Sequence, residues 1–172
     1  MLDLIFDDMS PLLSVCTNAH GKQDYRPSVF LAGPTNRNND FNQSWRKWCV
    51  QLFEVNKFDG IVYIPEHSVP KPFDNSEYAE RCQWEWKCMD WADCILFWVP
   101  RKVPEVLGLT TNLEFGTYLE KSPEKIVLGH PQDADEVEWM DIRYSLRTRR
   151  TACTALEETV TQAMHIMAQK QH

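Results

Sequence analysis

Two glutamates have the residue type and setting to do chemistry. Glu114 lies in the run Thr111-Asn112-Leu113-Glu114-Phe115-Gly116. A carboxylate in the first turn of a helix is favoured in its ionised form by unpaired N–H groups and the helix dipole, and the ionised form is the nucleophile. The same Thr111-x-x-Glu114 spacing is also a capping box, in which the carboxylate merely returns to the cap N–H. Glu85 stands between Trp84 and Trp86, neighbours that predict a partly buried setting instead of a solvated helix carboxylate. Asn112 can order a nucleophile or cap a helix. Gly33 and Pro34 allow a ligand close to the backbone, although tight turns use the same residues. Arg37 and Arg101 carry a fork that accepts phosphate through two contacts, whereas a lone loop arginine is usually solvated. Phe73, in a proline-containing loop, can close over a ligand. Glu66 and Asp93 complete the candidates, with Asp93 at a helix-to-strand junction where carboxylates often bind local backbone. No metal site is expected: the six cysteines form no CxxC pair, Cys82, Cys88 and Cys94 lie six apart and share no helical face, and the five histidines form no ligand-spaced pair.

These residues can converge only if the surrounding elements bring them to one edge. Short apolar runs at 29–32, 60–66, 94–99 and 125–129 read as strands, and the third is apolar on both faces, as a central parallel strand must be. Between them, Trp45, Trp48, Cys49, Leu52 and Phe53 recur at helical spacing behind a cap at Ser44 or Asn42. A second helix starts at Ser76, runs through Tyr78, Cys82, Glu85 and Met89, and ends by Asp93. A third spans 110–120 with its cap at Thr111 or Asn112, a short element covers 137–144, and a long helix covers 151–168. The alternation predicts an α/β fold, a doubly wound parallel sheet of four to five strands with helices on both faces. Ligands bind such sheets outside the carboxyl ends of the strands, which selects segments 33–37, 65–73, 100–112 and 129–131. Residues 1–27 read as an arm docking on the domain or on another subunit, and 28–172 as a single domain.

Composition narrows the function classes. A chain of 172 residues with 43% hydrophobic residues suits one compact domain. Lysine and arginine number 18 against 25 acidic residues, a net charge of −7, so no broad basic surface is available for nucleic acid. Asp3, Asp7 and Asp8 interrupt the apolar N-terminus, so neither a secretory signal nor a membrane span is expected, and the cytoplasm is the expected compartment. Most of the seven tryptophans read as core or subunit interface, Trp98 as core.

Taken in order, Phe30-Leu31-Ala32-Gly33-Pro34-Thr35, Pro65-Glu66, Trp84-Glu85, Ala92-Asp93, Phe97-Trp98-Val99-Pro100-Arg101 and the segment from Thr110 to Gly116 resemble the nucleoside 2-deoxyribosyltransferase-like family. The resemblance covers about residues 29 to 131. It implies a flavodoxin-like fold, cleavage of the N-glycosidic bond of deoxynucleosides, and a homo-oligomer whose sites a neighbouring subunit completes. It implies that Glu114 is the nucleophile and that Glu85, where classical members have Asp, holds the sugar or orients that nucleophile. Phe73 would cover the base, and residues 137–144, with Asp141 and Arg143, would complete a neighbour's site. The chain departs from the pattern at Gly108, where classical members place a base-contacting Asp, and at Phe30, where a Tyr often contacts the nucleophile. Glu66, Asp74 and Glu105 are therefore the candidate proton donors.

The implied chemistry is that of a retaining glycosidase, with a covalent sugar ester attacked in turn by a second base or by water. Positive charge develops on the sugar, so neither metal nor organic cofactor is called for. Nucleosides and free nucleobases are the implied partners, in purine and pyrimidine salvage. The competing expectations are an N-glycoside hydrolase of nucleosides or nucleoside 5′-monophosphates, and a nucleotide-binding module without catalysis.

Overall fold

The computed structural model describes residues 1–7, 26–35, 41–68 and 78–170. Five strands form one all-parallel sheet: β1 (Asp3–Phe6), β2 (Ser28–Ala32), β3 (Ile61–Ile64), β4 (Cys94–Trp98) and β5 (Ile126–Gly129). Their spatial order is β1-β3-β2-β4-β5. Five helices cover the sheet: α1 (Trp45–Val55), α2 (Tyr78–Trp91), α3 (Leu109–Lys121), α4 (Glu138–Thr148) and α5 (Leu156–Gln169). Asp3–Phe6, within the stretch expected to be an arm, forms the edge strand against β3.

Strand alternation sorts the core into two layers. Phe30, Ala32, Ile95 and Phe97 point to α2, α3 and α4, burying Cys88, Met89, Phe115, Leu119 and Tyr144. Val29, Leu31, Leu96 and Trp98 point the other way, to Cys49, Val50 and Phe53 of α1 and Val160, Ala163 and Met167 of α5. Period-two strands with both faces apolar can be buried only between two helical layers. This is the expected flavodoxin-like α/β architecture.

The chain passes from β2 to β3 through α1 on one face, then crosses back over β2 to β4 through α2 on the other. The reversal opens a crevice at the carboxyl ends of β2 and β4. Among the described residues no helix is long and apolar enough to cross a membrane.

Helix boundaries shift where tertiary geometry overrides local signals. Ser44 caps α1 as expected, its hydroxyl accepting from the Arg46 N–H. The α3 helix starts earlier than expected, behind Gly108 in the left-handed region (φ 61), with no side-chain cap bond. A Cβ at Gly108 would lie 2.8 Å from Pro34, so the close approach also needs glycine. The element at 137–144 is a full helix, α4. The last helix starts at Leu156, because residues before it serve the sheet: the Cys153 N–H donates to Leu128 O.

Candidate active site

A cavity of about 880 Å3 lies over β2, between α2 and α3. Phe30 and Ala32 line it together with residues 33–35, Pro65 after β3 and residues 104–110 after β4. Three of the four segments selected by the strand-end rule therefore meet there. The fourth does not: His130 faces α4, with Nε2 3.0 Å from Asp141 Oδ1 and Nδ1 2.9 Å from Pro131 O. Asp141, expected to reach a neighbour's site, is engaged within its own chain.

Glu85 and Glu114 face the cavity from opposite helices. On α2 the lining residues Tyr78, Cys82 and Glu85 recur at helical spacing, and on α3 so do Glu114, Tyr118 and Lys121. Because α3 begins at Leu109, Glu114 sits in its second turn, and the Thr111-x-x-Glu114 capping box does not exist. The first-turn stabilisation of its charge falls with the cap. Burial pushes the Glu114 carboxyl up to about 8, the nearby Glu85 carboxylate adds to the rise, and Arg46 opposes it. Burial pushes Glu85 to about 7, with Arg81 and then Arg46 opposing and Asp7 reinforcing. Desolvation therefore holds both carboxyls well above the ordinary carboxylate range.

Gly33 and Pro34 line the cavity. Gly33 has a positive φ of 146, and a Cβ there would lie 2.2 Å from the Trp98 carbonyl oxygen, so the turn tolerates no side chain. Glu105 is on the lining too. Phe73, Asp74 and Arg37 lie outside the described residues.

Four candidates are placed elsewhere. Glu66 is sealed off at 0% exposure, its Oε1 accepting from Arg46 Nη1 and Ser44 Oγ, both at 2.7 Å, and it does not line the cavity. Asp93 is at the opposite, amino end of the sheet, where Oδ2 accepts from the Ser28 N–H and hydroxyl at 2.9 Å. Arg101 is buried and donates to Glu136 O and Asn112 Oδ1, so these two candidates hold each other and the approach to α4. Neither lines the cavity.

The sequence reading missed Arg46, Arg81 and Tyr118. Arg81 Nε lies 2.9 Å from Asp7 Oδ2, which follows β1, and His67 Nδ1 is 3.3 Å from Asp7 Oδ1. Tyr118 donates from its hydroxyl to Asp90 Oδ1 at 2.9 Å and Trp86 O at 3.1 Å. Arg46 had one local signal: a cation in the first turn of a helix opposes the dipole and calls for an anionic partner. Among the described residues no group of three or more His, Cys, Asp and Glu side chains is placed to hold a metal ion. Cys49, Cys82, Cys88, Cys94 and Cys153 form no disulfide among the described residues.

No curated relative matches the sequence. A family model described as nucleoside 2-deoxyribosyltransferase like matches residues 26–133, a span that takes in β2 through β5, the cavity floor and both cavity carboxylates. On that match, which covers more than half of the chain, the protein belongs to the nucleoside 2-deoxyribosyltransferase-like family.

Proposed function

We propose that the protein exchanges the nucleobase of 2′-deoxynucleosides by double displacement with retention at the anomeric carbon. The observation that carries this reading is the placement of Glu114 and Glu85 in one cavity at the sheet's reversal point, in a chain of this family. In the first step a Glu114 oxygen bonds to C1′ as the C1′–N bond breaks, and the electron pair leaves with the base, which takes up a proton. In the second, a nitrogen of the incoming base bonds to C1′, the ester C1′–O bond breaks with its electrons returning to Glu114, and the incoming base releases a proton. Glu85 orients Glu114, which attacks in its ionised form. Glu105, on the lining, supplies the proton to the leaving base.

Positive charge developing at C1′ favours ionised Glu114 at the moment of attack, which offsets the desolvation that raises its pKa. A homo-oligomer is part of this reading, supported by the exposed apolar residues Trp139, Ile142 and Leu146 of α4.

The test is to mix the purified protein with a deoxynucleoside, with and without a second free base, and to separate the products. A new nucleoside supports the reading. Free base with free sugar in both mixtures replaces it by hydrolysis, and no change in either replaces it by a binding module.

A further inference from the structure

Arg46 is 1% exposed, yet it lines the same cavity as the two carboxyls. Four of its five N–H donors are committed. Nε donates to Leu31 O at 2.9 Å and Nη2 to Gly33 O at 2.7 Å, both in or just after β2. Nη1 donates to Glu66 Oε1 at 2.7 Å and to Thr35 Oγ1 at 3.3 Å. One side chain thus clamps the strand end, the glycine turn and the residue beyond it, which together form one wall of the cavity. The neighbouring Trp45 donates from Nε1 to Pro34 O at 3.1 Å, and its ring lies under the guanidinium at 4.6 Å.

Of the charged and titratable groups facing the pair, only Arg46 opposes the burial of both carboxyls. Arg81 acts on Glu85 and is matched by Asp7. Tyr78 and Cys82 of α2 interact with each other, Tyr118 of α3 is tied to Asp90, and Glu105 adds a negative charge on the lining. Arg46 opposes the burial of both Glu85 and Glu114 and lines the cavity, whereas Glu66, its counterion, does not line it. The ion pair is therefore a fixed dipole with its positive end toward the carboxylates.

We infer that Arg46 is the positioning residue of this site, holding the turn after β2 in register and supplying the fixed positive charge that lets one of the two cavity glutamates ionise. The inference rests on the proposed function for its catalytic meaning, and its electrostatic part does not require turnover. An arginine is needed because lysine, with one point charge, cannot hold two backbone carbonyls and a carboxylate in a planar fork.

The experiment is a carbon-13 NMR titration of carboxyl-labelled glutamate in the full chain, with signals assigned from the Glu85→Gln and Glu114→Gln proteins. Arg46→Gln should raise the midpoints of the pair by about one pH unit. Arg46→Lys should leave them within a few tenths of a unit while kcat/KM for base exchange falls at least about tenfold, because the wall loosens. Glu66→Gln should lower the midpoints, because it removes the negative end of the dipole. Unchanged midpoints in a folded Arg46→Gln protein overturn the inference. If that variant does not fold, unchanged midpoints in Glu66→Gln overturn it instead. A wild-type protein that leaves deoxynucleosides unaltered would refute the proposed function, and the titration would still decide the role of Arg46.

Discussion

Under α1 and α5 the sheet is covered by Cys49, Val50, Phe53, Val160 and Met167, packed on Val29, Leu31 and Leu96. On the opposite face, α2 and α3 stand apart over Phe30 and Ala32, and two carboxyls face the gap. The strands serve both sides through the same alternation, so the contrast comes from the helices. Those on the packed face turn apolar residues to the sheet. The stretch of α2 facing the gap carries Tyr78, Cys82 and Glu85, and that of α3 carries Glu114 and Tyr118. The cavity face keeps a buried apolar core of its own, in Phe97, Phe115 and Leu119, and differs in the two desolvated carboxyls it places beside that core.

The sharpest separation of the two regions is Glu114→Gln. It should reduce turnover at least about a thousandfold while leaving the fold intact, measured by product formation alongside circular dichroism. The reverse case is Phe53→Ala on the packed face, where Phe53 is fully buried, with an expected loss of about 3–5 kcal/mol in urea unfolding. Its counterpart beside the cavity, Leu113→Ala, removes a side chain that is 71% exposed and should stay within about 0.5 kcal/mol.

The pH dependence extends the comparison. Glu114 and Glu85 titrate higher in the folded chain than the ordinary 4.5, so the folded state binds more protons across that interval. Stability contributed by the pair therefore falls as pH rises from about 4.5 towards about 8, and Glu114→Gln should flatten the fall in a series of thermal melts. Turnover should rise over the upper part of the same interval, as the nucleophile loses its proton. The smallest effect on turnover is expected at Asn112, whose side chain serves Arg101 and not the cavity. Asn112→Ala should lose about 1 kcal/mol of stability and keep kcat/KM within about twofold.

Much of the architecture was legible because it rests on local pattern: the continuous apolar runs of β2 and β4 and the helical spacing of Trp45, Cys49, Leu52 and Phe53. The strand-end rule likewise reached residues 33–35, Pro65 and Glu105. What failed was the pairing of charges. Glu66 and Asp93 flank strands just as a site carboxylate would, and nothing nearby in sequence reveals that Ser44 and Arg46 claim the first and Ser28 the second. Arg46 was invisible as a site residue for the same reason, because its partners lie 11 to 20 residues away in both directions. The cap of α3 was misplaced because Thr111 and Asn112 are good capping types, while Gly108 is fixed by its close approach to Pro34. Chemistry at a cavity depends on which charges remain after such pairings are made, and that is a tertiary property.

The most direct measurement is the mass of the protein after incubation with a deoxynucleoside in the absence of free base, followed by acid quench and peptide mapping. A deoxyribosyl ester is expected on the peptide containing Glu114, with no adduct in Glu114→Gln. An adduct on another residue, or undiminished consumption of the deoxynucleoside by Glu114→Gln, would contradict it.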